Sequence, residues 1–125
     1  MRTKEAADYV AAMMTEALQG LAVVVRDPED ATGHILAGTP TVVIGPPSVQ
    51  SDERAAIEMR FETPIIGAPV NDRETAWESI DAIMTALRGL IEFDRATPIQ
   101  WQGAQTASAP AYLLTHTLTL ITEGH

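Results

Sequence analysis

The chain contains no cysteine, so neither a disulfide nor a thiolate metal site can hold it together, and redox chemistry through sulfur is excluded. No run of eighteen apolar residues occurs, which removes a membrane-spanning helix from the candidate elements. Basic clusters are missing too: 8 Lys and Arg are scattered among 17 Asp and Glu, for a formal net charge of -9. Gripping nucleic acid through its phosphates is therefore not expected, because a surface of this sign repels the backbone. The same acidity suits a solvated surface that keeps a small subunit soluble, or a channel wall past which DNA slides without sticking. With Lys4, Glu5 and Asp8 inside its first helical pattern, no secretory leader is expected, and the cytoplasm is the expected place of synthesis.

A length of 125 residues with 46% hydrophobic residues is enough for one domain with a real core, stabilised by packing and by assembly. From Thr3 to Gln19, Ala6, Val10, Met13, Met14, Ala17 and Leu18 recur at helical spacing, and Gly20 supplies the stop. The β-branched run Leu21 to Val25 predicts a strand closed by the turn-rich Asp27-Pro28-Glu29-Asp30. Thr41 to Ile44 predicts a second strand, and Thr32 to Gly38 between them reads as a small hairpin or a loop. After a polar stretch from Ser48 to Arg54, Ile57, Met59 and Phe61 alternate with Glu58, Arg60 and Glu62, the period of a sheet with one buried face. Pro64 and Pro69 remove ladder donors, so a continuation through Ile65 and Ile66 is expected only as an edge or bulged segment.

Asn71 or Asp72 caps the next expected helix, along which Ala76, Trp77, Ile80, Ile83, Met84, Leu87 and Ile91 form an apolar stripe. Ile99 to Gln102 and Tyr112 to Thr122 predict a final antiparallel pair around the small-residue loop Gly103 to Pro110. The fold class is α+β: a mixed, mainly antiparallel sheet of four or five strands with two main helices packed on one face.

Tested for chemistry, the sequence offers little. His34, His116 and His125 stand in no metal-ligand spacing; His116, between Leu114 and Leu118 on one strand face, reads as a core or interface histidine with one satisfied hydrogen bond. Gly33 to Thr39 has the glycine spacing of a phosphate loop but Thr39 where the lysine belongs. Ser48 lacks the glycines of a nucleophile elbow, and Asp27, Glu29 and Asp30 do not keep a calcium-loop register. Glu58 and Glu62, with Arg60 between them, form either a paired-carboxylate site or, as the more common case, surface ion pairs to a neighbouring strand or subunit. Trp77 reads as core, whereas Trp101 between two glutamines reads as a subunit contact. No catalytic residue, metal or cofactor is expected, and the candidate interface residues are Pro46, Pro47, Glu58, Arg60, Glu62 and Trp101.

Several phrases, taken in order, resemble the tail terminator proteins of long-tailed bacteriophages, particularly those of actinobacterial phages. They are the N-terminal helix leading into Val23-Val24-Val25-Arg26-Asp27-Pro28, then Pro40 to Pro47, the alternating strand around Phe61, Ala76-Trp77-Glu78, and Trp101 followed by Pro110-Ala111-Tyr112. The resemblance implies a small α+β subunit forming a hexameric ring that caps the tail tube, stops its polymerisation and joins the head connector (stopper) protein. It also implies a virion location after synthesis in the host cytoplasm, and a lumen through which DNA passes without specific binding. Each subunit contact in such a ring is expected to bury about 1,000 Å² or more. Another neck component, such as a head-completion protein, and a small enzyme working through Glu58 and Glu62 are the alternatives.

Overall fold

The computed structural model describes residues 3–52, 56–102 and 108–121. Arg54, most of the Gly103 to Pro110 loop, Thr122 and His125 lie outside them. The elements are α1 (Thr3–Ala17), β1 (Val23–Val25), α2 (Pro28–Leu36), β2 (Thr41–Val43), β3 (Ser48–Asp52), β4 (Ala56–Ile66), α3 (Arg73–Arg88), β5 (Phe93–Trp101) and β6 (Ala109–Ile121). The strands form one mixed sheet in the order β1-β2-β4-β6-β5, with β3 pairing β4 off this path. Among the described residues only β1 and β2 are parallel, and every other pairing is antiparallel. The fold is thus α+β as expected, with six strands and three helices among those residues where the sequence suggested four or five and two.

The extra helix is α2, and it replaces the expected turn and hairpin. Asp27 is its N-cap, accepting from the Glu29 amide at 2.9 Å, and Pro28 fills the first turn, where a missing donor costs nothing. Glu29 and Asp30 then favour the positive end of the helix dipole. Those residues read equally as a turn, and Gly33 inside the helix costs about 1 kcal/mol relative to alanine, so the helical signal was weak. Only Ala31 and Ile35, one turn apart, are buried. The helix connects β1 to its parallel partner β2, a crossover of the kind parallel strands require. Gly20 and Gly38 take positive φ values of 82° and 87°, letting the chain reverse after α1 and after α2.

β3 is the extra strand; its polar composition hid it, because it borders the sheet with little to bury. β4 also differs from expectation, since it runs through Pro64 to Ile66 as an inner strand, paired throughout with β6. The Gly67 amide donates to the Pro110 carbonyl at 2.9 Å, so alternation turns the Pro64 nitrogen away from β6. It faces the interval where pairing with β3 has ended at Arg60 and pairing with β2 starts at Ile65, and no ladder bond is lost there. Pro98 lies on β5, the outer strand, where proline is tolerated.

Two apolar clusters sit on the two faces of the sheet. On the first face α1 and α3 cover Val42, Ile44, Met59, Phe61, Ile65 and Leu114. On the second, α2 covers Val25, Val43, Ile66, Ala109 and Ala111. Successive residues such as Val42 and Val43, or Ile65 and Ile66, therefore enter different clusters, which is why β2 and the end of β4 read as unbroken apolar runs. Gly67 permits close seating of α3: a Cβ there would overlap the Ala76 carbonyl. Asp72 caps that helix, accepting from the Thr75 amide at 3.1 Å and the Thr75 hydroxyl at 2.7 Å, and these bonds hold its carboxyl below the usual range.

Candidate functional site

Among the described residues, the second face is covered only where α2 lies. Beyond it, the first half of β4 and the second half of β6 extend with β3 as a three-stranded arm. Here Glu58, Arg60 and Glu62 are exposed and stand opposite Thr119, Thr117 and Thr115. The expected polar strand face is therefore present. Ion pairs to a neighbouring strand are not: among the described residues, the charge pairs within 4.0 Å are Lys4–Asp8 and Arg26–Asp8 alone. On this face Thr117 donates to Asp94 at 2.7 Å.

Glu58 and Glu62 are four residues apart on one strand, about 13 Å at the usual rise, too far to share a proton or to flank one scissile bond. Neither lines a groove among the described residues. No group of three His, Asp or Glu side chains suited to a metal ion occurs among those residues. Likewise, no helix among them is long and apolar enough to cross a membrane.

The buried titratable group is His116, 3% exposed on the first face. Its ring stacks on Phe61 with centroids 5.2 Å apart and shares a hydrogen bond of 2.8 Å with the Thr63 hydroxyl. Burial lowers its pKa to about 4, against the opposing pull of the Asp94 charge. It is the core histidine, with its single bond, that the sequence suggested. His34 is not in a loop but in the last turn of α2. At the other end of the sheet, Arg26 pairs with Asp8 and donates to the Ile44 carbonyl at 3.0 Å, tying α1 to the β1–β2 corner. The Arg26 and Lys4 cations hold the Asp8 carboxyl below its ordinary range.

The tryptophan expected in the core lies at the surface. Trp77 is 55% exposed, because the buried line of α3 is Ala76, Ile80, Ile83 and Leu87, and position 77 lies about 100° round the helix from Ala76. Trp101 is half-buried against the α2 cluster, and its indole N–H is buried without a partner among the described residues. Of the two prolines, Pro46 is exposed and Pro47 buried. The six candidate residues thus do not converge: Glu58, Arg60 and Glu62 share the bare sheet face, and Trp101 belongs to the second core cluster.

Exposed Trp77 marks a site that the sequence reading missed. With Ile80 of α3 it forms one wall of a groove of about 430 Å³, closed on the other side by Pro98 of β5 and by Pro110 and Tyr112 of β6. Arg73 is the only charged residue of its lining among the described residues. Across the indole, Glu74, Glu78 and Asp81 line a shallower depression. The signal was present as a tryptophan one residue away from the best apolar stripe, but helical period alone counted it into the core. No protein-family model matches this chain, and no curated protein matches it.

Proposed function

We propose that this chain is a virion structural subunit that forms a ring on the end of a phage tail tube, stops tube growth and joins the tail to the head connector. The observation that carries the reading is where the fold leaves apolar and polar surface open. A bare sheet face carries Glu58, Arg60 and Glu62, and a groove of about 430 Å³ beside half-exposed Trp77 is lined mainly by apolar side chains. Surfaces of this kind serve protein contacts, where exposed aromatics are enriched. The sequence phrases that resemble tail terminators, from Val23-Val24-Val25-Arg26-Asp27-Pro28 through Ala76-Trp77-Glu78 to Pro110-Ala111-Tyr112, support it further.

In this reading one side of the ring matches the last tube ring, while the other lacks the surface that recruits more tube subunits. The acidic balance of -9 keeps the lumen from holding DNA during passage. The test is to measure the mass of the purified protein alone and with its tube subunit. A closed six-membered species that shortens tubes and sits at their ends is expected. Twelve copies per virion would point to an adaptor ring instead. Tight binding of duplex DNA at low salt, or metabolite turnover abolished by replacing one acidic side chain, would overturn the reading.

A further inference from the structure

The largest apolar side chain exposed among the described residues, Trp77, borders two openings at once. On one side of its indole lies the groove of about 430 Å³, where Tyr112, Pro98, Pro110 and Ile80 supply apolar surface and Arg73 and Gln100 supply hydrogen-bond donors. On the other side lie Glu74, Glu78 and Asp81, all exposed and none with a cation within 4.0 Å among the described residues. Glu74 and Glu78 stand four apart on α3, and Glu78 and Asp81 three apart. Like charges repel at those spacings, so the helix gains nothing from the cluster.

Which backbone fits this groove is decided by where donors are present and where one is missing. A strand added to the open edge of β5 is disfavoured, because the Gly67–Pro110 hydrogen bond and the registers of β4, β6 and β5 turn the Pro98 nitrogen toward that edge, where a ladder needs a donor. An amphipathic helix bonds its carbonyls internally and would leave Arg73, Gln100 and the Trp77 indole N–H unmatched. A polyproline II segment has no internal hydrogen bonds, so its carbonyls are free to accept from all three. Its dimensions fit as well: Arg73 to Ile80 spans about 10 Å of α3, close to one three-residue turn at about 3.1 Å per residue. Aromatic walls are the usual surface for such segments.

We infer that the Trp77 groove docks a proline-rich segment of a partner protein in the polyproline II conformation, with a lysine or arginine of that segment held against the indole by Glu74, Glu78 and Asp81. Charge complementarity fixes the sign of the flanking residue, since a cation gains from the indole face and from three carboxylates at once. The inference rests on the reading of this groove as a protein-contact surface and adds the chemistry of what it contacts.

The test is fluorescence anisotropy of a labelled peptide, in which two arginines precede a leucine-proline-proline-leucine-proline run, titrated with the full-length protein. Saturable binding is expected, weakened by about tenfold or more when the peptide's prolines become alanines or its arginines become glutamates. Trp77→Ala, at an exposed position and with folding confirmed by circular dichroism, should weaken it by a similar factor. Glu78→Lys combined with Asp81→Lys should weaken binding of the arginine peptide and tighten that of the glutamate peptide. No saturable binding up to millimolar protein would overturn the inference. So would a Trp77→Ala protein, or a proline-free peptide, that binds equally well. The ring reading is decided separately by native mass: a closed six-membered species that ignores the peptide leaves the ring standing without this docking. A chain that binds the peptide but never assembles, alone or with its tube subunit, leaves the docking standing without the ring.

Discussion

The two halves of β4 show what a second layer does to a strand. From Ile57 to Glu62, where only α1 and α3 cover the sheet, buried and exposed residues alternate; at Ile65 and Ile66, where α2 covers the other face, both neighbours are buried. One strand therefore passes from a two-layer to a three-layer region within about ten residues. The face under α1 and α3 carries core packing along the whole strand, and on the other face the stretch from Glu58 to Glu62 is exposed. Substitutions of similar size should therefore differ sharply between the two faces.

The largest effect is expected at Phe61, 1% exposed beneath the helices. Phe61→Ala removes a ring that packs in the main cluster and stacks on His116, and should cost about 3–5 kcal/mol in denaturant unfolding. A loss below 1 kcal/mol would mean that the face beneath α1 and α3 is not the core. Next comes pH. Because the folded protein holds His116 near 4 while an unfolded histidine titrates near 6.5, the unfolded state binds the proton first. This contribution is full above pH 6.5 and is lost as pH falls toward 4, by roughly 3 kcal/mol. His116→Gln should flatten the stability curve across that window. Asp94→Asn should steepen its acid side, since it removes the charge that favours the imidazolium.

Gly67→Ala is expected to cost about 1–3 kcal/mol, because the added methyl meets the Ala76 backbone, which cannot rotate aside. Unchanged stability would show that α3 is free to shift, and with it the Trp77 wall of the groove. Asp72→Ala, which removes only the cap of that helix, should cost about 1 kcal/mol.

How much of this was legible depended on how many faces each segment buries. Amphipathic α1, α3 and the first half of β4 announce themselves by period, because one face of each meets water. By contrast, α2 anchors itself with Ala31 and Ile35 alone and opens on residues that also make turns, so its period never rises above its punctuation. β3 has one apolar residue, Val49, and is defined by its partner β4 rather than by its own pattern. The polar face of Glu58, Arg60 and Glu62 could be read directly. The Trp77 groove could not, since it exists only once α3 lies against the β5–β6 end.

The smallest effect is expected on the bare face, and it separates stability from assembly. Thr119 is exposed opposite Glu58, with no hydrogen-bonding partner for its hydroxyl among the described residues, so Thr119→Ala should change unfolding by no more than about 0.5 kcal/mol. Arg60→Ala should do the same, having no charge partner within 4.0 Å among those residues. A subunit whose sheet face exists for contacts should nonetheless show Arg60→Ala weakening self-association in a mass measurement while the unfolding curve stays put. If both measurements stay unchanged, the charge on that face serves only solubility. If both move together, the arm is part of the fold's support, and the contrast between the two faces of β4 is lost.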